Sequence, residues 1–357
     1  MELHSLHEIK ALKGPILITG HTGFKGAWLS LLLRKLGVET AGISLPAEKN
    51  SLYSRFDKSV VDQEYFLDIR SREKLKECIQ RINPSAIFHL AAQPLVLDSY
   101  KDPVGTFETN VLGTANLLDT AFKVKSVQSV ICATTDKVYR NDEQGNSFKE
   151  SDPLAGKDPY SASKVGSESA IAAWQQISLT SGGPEVVAAR AGNVIGGGDY
   201  AANRLLPDLI RGIQSETITQ IRNPLSTRPW QHVLDPLFGY VLLLEASLKN
   251  DVKNSFNFGP TDASLNVQEV VEIAKLAWPE KIQYQIFSDG TELESEKLQL
   301  NSDLARTDLN WKPVWSQRDS ITSTIKWWKK VISNEDSALN ACISDIEILG
   351  ESYELFE

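Results

Sequence analysis

The chain has 357 residues, of which 41% are hydrophobic and 23% charged, and this is enough to bury the core of two domains or of one elaborated domain. Its formal net charge is −9 without a long basic run, which argues against nucleic acid as a partner bound through its backbone. Three cysteines and five histidines show no metal-ligand spacing, and no apolar run reaches the length of a membrane span. We therefore expect a cytoplasmic protein with no metal site and no membrane segment.

The first half of the chain alternates short apolar runs with helical patterns. Strands are predicted over 15–19, 38–45, 86–91, 127–133 and 186–190, and helices over 27–36, 71–82, 110–122 and 162–177. Repeated βα units with short loops are typical of a parallel sheet with helices on both faces. The predicted fold class is therefore α/β, with a doubly wound parallel sheet of the Rossmann type.

The pattern changes after residue 190. Helices are predicted over 205–213, 234–248, 267–277 and 319–332, and a strand over 255–259. The helix and strand within 234–260 are expected to return to the main sheet. We predict one domain from 12–190 plus 234–260, a smaller, discontinuous α/β domain from 191–233 plus 261–335, and a C-terminal extension over 336–357. The extension is acidic and weakly patterned, and we expect it to be loose.

A glycine-rich loop follows the first predicted strand. Gly20, Gly23 and Gly26 form a Gly-x-x-Gly-x-x-Gly pattern that leads directly into a helix. Glycine tolerates positive φ and lets backbone N–H groups approach a pyrophosphate, and the helix N-terminus adds a partial positive charge. The loop predicts a dinucleotide-binding site in the larger domain, with Gly26 serving helix–sheet packing; the alternative is a tight turn without a ligand.

Tyr160 and Lys164 are four residues apart and lie on one face of a predicted helix. A lysine ammonium beside a phenol stabilises the phenolate and lowers its pKa, so Tyr160 is a candidate base for proton transfer near neutral pH. The bare pair also occurs by accident on exposed helices. Its position downstream of the glycine loop and of the run 135–137 favours a chemical role.

The glycine spacing and the Tyr-x-x-x-Lys pair resemble those of the extended short-chain dehydrogenases/reductases, which include the NAD-dependent epimerases and dehydratases. Further matching stretches are Asp68-Ile69, His89 to Gln93 and Asn110 to Thr114. The resemblance implies a bound NAD. Its implied contacts are Gly20, Thr22, Gly23, Phe24, Lys25, Gly26, Asp68, Ile69, Leu90, Ala91, Ala92, Gln93, Asn110, Tyr160 and Lys164.

The second strand departs from the usual dinucleotide pattern. It ends Gly42-Ile-Ser-Leu45, without an acid for the adenosine ribose and without an Arg for a 2′-phosphate. This position leaves NAD and NADP open. NAD is favoured because the reaction that the resemblance implies recycles its cofactor.

Thr135-Asp136-Lys137 resembles the corresponding run of the CDP-glucose 4,6-dehydratases, whereas dehydratases for other nucleotide sugars carry Thr-Asp-Glu there. The stretches 19–28, 91–95, 190–199 and 221–233 look like the same enzymes, and the resemblance covers about 14–330. It implies dehydration of CDP-D-glucose to CDP-4-keto-6-deoxy-D-glucose, within deoxysugar biosynthesis for the O-antigen of lipopolysaccharide.

The resemblance also implies a role for each reactive residue. Thr135 steadies the sugar oxygen, and Tyr160, held by Lys164, removes the proton of the 4-hydroxyl while C4 gives hydride to NAD. Lys137 is the candidate base for the C5 proton, and Asp136 the candidate acid for the departing 6-hydroxyl; hydride then returns to C6. In the alternative interpretations, Lys137 is a salt-bridging residue that orients the substrate, and Asp136 is a structural cap.

The substrate diphosphate needs positive charge. Asn193 matches the family position at the substrate phosphate, and Arg228 is suited to bidentate phosphate contact. Arg204, Arg222 and His232 are weaker candidates, and His232 is equally consistent with a packing residue. The helices 110–122 and 162–177 would pair across a dimer in this family, so a homodimer or homotetramer is expected.

Two other functions stay open at this point. One is another nucleotide-sugar 4,6-dehydratase or a 4-epimerase, although an acid and a base directly after Thr135 suit an elimination. The other is a non-catalytic dinucleotide-binding protein, which is expected to lose Tyr160 or Lys164; this chain keeps both.

Overall fold

The structure is a computed structural model and describes residues 6–142, 145, 147–221, 223–249, 252–286 and 298–355. Its strands are β1 Ile16–Thr19, β2 Thr40–Ser44, β3 Gln63–Phe66, β4 Ala86–His89, β5 Ser129–Thr135, β6 Ser147–Phe148, β7 Glu185–Ala191, β8 Val194–Ile195, β9 Thr219–Ile221, β10 Thr227–Arg228, β11 Gln231–His232, β12 Ser255–Phe258, β13 Leu265–Asn266, β14 Tyr284–Ile286 and β15 Gln299–Leu300.

Helices cover both faces of the central sheet. They are α1 His7–Lys10, α2 Phe24–Lys35, α3 Arg72–Ile82, α4 Val96–Lys101, α5 Pro103–Phe107, α6 Gly113–Ala121, α7 Pro159–Ser181, α8 Leu205–Ser215, α9 Leu234–Ser247, α10 Val267–Ala277, α11 Asp303–Asp308, α12 Gln317–Ile332 and α13 Ala338–Tyr353. Short 3-10 turns span Tyr53–Arg55 and Asp136–Val138, and a π-helical turn spans Glu108–Leu112.

The central sheet has seven strands in the order β12-β7-β5-β4-β1-β2-β3. Every neighbouring pair in it is parallel. The predicted α/β, doubly wound fold is confirmed. One apolar cluster packs α2 and α9 against one face, and a second packs α3, α6 and α7 against the other. The strand order reverses between β1 and β4, so the carboxyl ends of these two strands flank the crevice in which such folds bind ligands.

The return of the chain to the main sheet is also as predicted. β12 pairs with β7, with Ser255 opposite Ala188, and α9 packs beneath them. Four small two-stranded sheets complete the strand pairing in the described residues, and three of them lie wholly beyond residue 190. The division of the chain into two domains stays a prediction.

α7 begins three residues earlier than predicted, and the reason is local. Asp158 accepts a hydrogen bond from the backbone N–H of Ser161, whose hydroxyl accepts one from Asp158, and Pro159 occupies the first helical position. Such a cap contributes about 1 kcal/mol to helix stability. Its consequence for the site is that Tyr160 lies in a fixed first turn.

The expectation of a loose C-terminal extension is wrong. The extension forms α13, which Ser337 caps by accepting a hydrogen bond from the N–H of Asn340. One face of α13 carries Cys342, Ile346, Leu349 and Tyr353, which are buried in the large apolar cluster. These positions recur with the period of an amphipathic helix. The acidic residues on the opposite face make the segment acidic overall, so its composition alone does not show this period.

Candidate active site

A cavity of about 760 Å³ opens at the carboxyl ends of the central strands, at the β1/β4 reversal of strand order. Its volume is in the upper half of the range that ligand pockets normally occupy. Segments of both the sheet and the chain beyond residue 190 line it, including the glycine loop, the end of β5, the start of α7 and the loop 191–206. The cavity therefore brings the candidate cofactor residues and the candidate reactive residues together.

The glycine loop forms one wall by close backbone approach. Gly20 has φ +78°, and a Cβ there would lie 2.8 Å from the backbone N of Ala91. A Cβ at Gly26 would lie 2.1 Å from the carbonyl oxygen of Gly20, so Gly26 packs α2 onto the glycine loop itself, whereas helix–sheet packing was predicted. Gly23 is the N-cap of α2 and no side chain caps this end, which leaves the first N–H groups of the helix beside the cavity.

Most of the other predicted cofactor residues also line the cavity. They are Thr22, Phe24, Lys25, Asp68, Ile69, Leu90, Ala91 and Ala92. The Thr22 hydroxyl donates to the carbonyl of Leu45 at 2.9 Å and is hydrogen-bonded to the Ser44 hydroxyl at 2.7 Å, where Ser44 can donate. These bonds fix the loop to the end of β2, where the ribose acid of ordinary dinucleotide sites is missing.

Gln93 and Asn110 lie behind the wall. The N–H of Gln93 donates to Asn110 Oδ1 at 2.8 Å, and Asn110 Nδ2 donates to Ser163 Oγ at 2.8 Å. Asn110 is in the π-helical turn, which interrupts the helix predicted from residue 110 onward. The two side chains brace the loop after β4 against α7, so the structure gives them a supporting position and not a place in the cavity lining.

Asp136 follows β5 directly and is buried in a 3-10 turn. Thr135 Oγ1 donates to Asp136 Oδ1 at 3.0 Å and accepts from the N–H of Lys137 at 3.3 Å. Burial raises the pKa of Asp136 above its ordinary value, and the charge of Lys137 opposes this only in part. A carboxyl group that keeps its proton to a higher pH is suited to act as an acid.

Lys164 is a buried residue in the cavity wall, and its ammonium donates to the carbonyl of Ala133 at 3.0 Å. Burial lowers its pKa to about 8, while the carboxylate of Glu168 opposes the shift. Burial also raises the pKa of Tyr160 to about 12, whereas a hydrogen bond with Thr135 and the charge of Arg204 lower it. The pKa of Tyr160 is therefore raised and not lowered as expected, because desolvation of the phenolate outweighs these two effects.

The predicted substrate residues divide into three cases. Asn193, Arg204 and Arg228 line the cavity, and Arg204 Nη1 lies 3.1 Å from Asp199 Oδ2. Arg222 lies outside the described residues. His232 is away from the cavity wall and fully buried, with its ring centroid 4.3 Å from that of Trp315, so the packing interpretation describes it.

Tyr240 is a polar neighbour of the site that sequence reasoning missed. Lys25 Nζ donates to its hydroxyl at 3.3 Å, across the contact between α2 and α9. The pKa of Lys25 is lowered to about 7, mainly by burial and to a smaller extent by repulsion from Arg204 and Lys164. The sequence signal for this residue is a single tyrosine within the apolar run 234–248. Its partner Lys25 lies 215 positions away in the chain, so the signal does not reveal the contact.

Two further features concern the described parts of the chain. No group of three or more His, Cys, Asp or Glu side chains there is arranged to hold a metal ion. None of the described helices combines the length and apolarity that crossing a bilayer requires.

Comparison with known proteins gives both sequence and structural relatives. A model of the NAD dependent epimerase/dehydratase family matches residues 16–259. A CDP-glucose 4,6-dehydratase of Salmonella typhimurium is 37% identical over 330 residues, which cover 90% of this chain and 92% of that protein.

Two solved structures illustrate the likeness of fold. A dTDP-glucose 4,6-dehydratase of Streptomyces venezuelae with NAD bound has a TM-score of 0.75 at 23% identity. The match covers 91% of this chain and 99% of the dehydratase chain. A UDP-glucose 4-epimerase of Stenotrophomonas maltophila, also with NAD bound, has a TM-score of 0.77 at 20% identity and covers 90% and 100%. At these identities the two structures show the fold alone.

Proposed function

Because this chain belongs to the NAD dependent epimerase/dehydratase family, we propose that it is an NAD-dependent hydro-lyase that converts CDP-D-glucose to CDP-4-keto-6-deoxy-D-glucose and water. The observation that carries the proposal is the 37% identity with a CDP-glucose 4,6-dehydratase over 90% of the chain. The site supports it, because Thr135, Asp136, Lys137, Tyr160 and Lys164 all line one cavity. The reaction leaves the cofactor unchanged overall.

The cavity fits NAD, the cofactor of the family. Gly20 gives the close backbone approach that a pyrophosphate needs, and the N–H groups at the start of α2 are available to it. Ala91, Ala92 and Asp68 would hold the rest of the dinucleotide. When bound, NAD supplies a temporary acceptor for the hydride that leaves C4 of the sugar and returns to C6.

The first proton transfer is assigned to Tyr160. Its phenolate removes the proton of the sugar 4-hydroxyl, and Thr135 holds the same oxygen. Lys164 has a pKa of about 8, so it is mostly protonated at neutral pH, and its ammonium favours the phenolate. Burial is the main cause of the raised pKa of Tyr160, and the hydrogen bond with Thr135 and the charge of Arg204 oppose it.

The elimination is assigned to the two residues after Thr135. The 4-ketone acidifies the proton at C5, and Lys137 takes that proton in its neutral amine form, since an ammonium cannot accept one. Asp136 gives its own proton to the 6-hydroxyl, which leaves as water. The raised pKa of Asp136 supports the role of acid, because its carboxyl group keeps a proton to give.

The diphosphate of the substrate is assigned to the part of the cavity wall that comes from the chain beyond residue 190. Asn193 and Arg228 are its proposed contacts, with Arg204 beside them at the start of α8. A guanidinium forms paired hydrogen bonds with phosphate oxygens, and Arg228 is buried, so this pairing would be shielded from water.

The test is incubation with CDP-glucose deuterated at C4, followed by mass spectrometry. The proposal predicts loss of water and deuterium at C6 of the product, with no turnover by the Tyr160→Phe variant. Deuterium at C4 of an inverted sugar would identify a 4-epimerase instead. Faster turnover of dTDP-, UDP- or GDP-glucose would identify a different nucleotide-sugar dehydratase, and no turnover of any of them would favour a non-catalytic dinucleotide-binding protein.

The proposed setting is deoxysugar biosynthesis for the O-antigen of lipopolysaccharide in the cytoplasm. The proposed assembly is a homodimer or homotetramer, with α5, α6 and α7 at the contact. Support comes from apolar side chains that this helix layer exposes: Val104 is 68% and Leu112 58% exposed. Light scattering on the purified protein measures the assembly, and charged replacement of both residues would yield the monomer.

A further inference from the structure

A buried ion pair lies behind the reactive residues and has no part in the mechanism above. Glu168 is on α7 and Arg190 on β7, and each side chain is 6% exposed. Glu168 Oε1 accepts from Arg190 Nε at 2.9 Å, and Oε2 accepts from Nη2 at 2.8 Å. The guanidinium and carboxylate planes are therefore paired through two hydrogen bonds, which is the most directional form of this interaction.

The pair is connected to both ends of the reactive turn. Thr134 precedes the turn, and its hydroxyl donates to Glu168 Oε1 at 2.6 Å. Tyr139 follows the turn, and its hydroxyl accepts from Arg190 Nη1 at 2.9 Å. The four residues between these two anchors are 135–138, which include the three candidates Thr135, Asp136 and Lys137. One ion pair thus anchors the chain on both sides of the three candidate reactive residues.

The same carboxylate acts on Lys164. Glu168 is four residues further along α7, so both side chains lie on one face of the helix. Its charge keeps the pKa of Lys164 from falling further under burial. Besides Tyr160 on the same helix, the titratable groups that face Lys164 include Lys25 on α2, and His89 and Cys132 on strands β4 and β5. His89 is neutral, since burial lowers its pKa to about 3, and Lys25 repels the ammonium.

We propose that Glu168 and Arg190 are positioning residues, which hold the turn 135–138 in register with Tyr160 and place a carboxylate one helical turn from Lys164. The inference rests on the proposed function, because it assigns these residues to the reaction of that site. It involves no contact with substrate: Glu168 acts through Thr134 and Lys164, and Arg190 acts through Tyr139.

The first test leaves the ion pair intact and removes one anchor. Thr134→Val deletes the hydroxyl that donates to Glu168, while Thr134→Ser keeps it. A small displacement of reacting groups has large effects on rate, so we expect T134V to lower kcat by at least about tenfold. The KM for CDP-glucose is expected to stay within about twofold of wild type, because the deleted hydroxyl is bonded to Glu168. T134S restores most of kcat.

The second test removes the charge. Glu168→Gln leaves Lys164 without its nearby carboxylate. In the pH profile of kcat, we therefore expect the alkaline limb to move to lower pH. Glu73→Gln, on the exposed surface of α3, is the matched control and leaves the limb in place. A purely structural role of Glu168 would lower activity at every pH without moving the limb.

The third test separates folding from positioning. Removing one partner of a buried ion pair is strongly destabilising, whereas replacing both by apolar residues of similar volume often is not. The double variant Glu168→Leu with Arg190→Met is therefore expected to unfold at a higher temperature than E168Q. Despite this gain in stability, we expect it to have no dehydratase activity. Wild-type activity in the folded double variant would overturn the inference.

The controls distinguish this inference from the proposed function. If wild-type protein does not turn over CDP-glucose, the proposed function fails. If wild type is active, and T134V keeps its kcat while E168Q keeps its pH limb, the positioning role fails and the proposed function stands.

Discussion

Ile346 and Ile348 offer a matched test of the docked C-terminal helix. Both are isoleucines on α13, two positions apart, but Ile346 is 0% exposed and Ile348 is 42% exposed. Replacing a fully buried isoleucine by alanine removes three carbon atoms from the core and leaves a cavity, which costs about 2–5 kcal/mol. The same replacement on the surface costs less than about 0.5 kcal/mol.

The assay is chemical denaturation of both variants beside wild type, followed by tryptophan fluorescence. We expect Ile346→Ala to lower the denaturant midpoint strongly, and Ile348→Ala to leave it close to wild type. The slope m should stay the same, since neither change alters the surface exposed on unfolding. Equal midpoints for the two variants would refute the packing of α13 described above, and would return the tail to a loose extension.

Three further predictions concern the site. Asp136→Asn keeps the shape of the side chain but removes its acidic proton, so we expect dehydration to fall by about 10²–10⁴-fold while oxidation at C4 continues, as measured by the absorbance of enzyme-bound NADH; equal loss of both steps would contradict the assignment. The ammonium of Lys164 is present below its pKa and lost above it, so kcat should fall as the pH rises through about 8, and a profile flat to pH 10 would refute this. Gly20→Ala should abolish NAD binding in equilibrium dialysis because its Cβ meets Ala91, whereas Gly37→Ala, at a similar φ with open space around it, should retain binding.

Local sequence signals predicted the parts of the protein that depend on neighbouring residues. The glycine spacing at 20, 23 and 26 specified a tight backbone turn, and the structure shows the close approach that requires it. The four-residue spacing of Tyr160 and Lys164 placed them on one helix face, and both line the cavity. Apolar runs located six of the seven strands of the main sheet, because burial on both faces gives each of these strands an apolar run. The seventh, β3, lies at the edge of the sheet and is only partly buried, and its sequence did not predict a strand.

Helix boundaries were less predictable where side chains from elsewhere decide them. The helix expected from residue 110 begins at Pro103 and passes through a π-helical turn, in which Asn110 bonds to the backbone of Gln93. That contact joins residues 17 positions apart. No periodic pattern within the helix reports it, so the support role of the two residues could be found only in three dimensions.

The sequence by itself determined the fold class, the phosphate loop and the order of the reactive residues along the chain. Only the tertiary structure decided what surrounds each of them. His232 proved to be a core residue, and Glu168 and Arg190, 22 positions apart, became one ion pair. The pKa of Tyr160 moved opposite to the expectation from its neighbour Lys164. The physical reason is the same in each case: burial removes water from a side chain, and the extent of that removal depends on elements packed from distant parts of the chain.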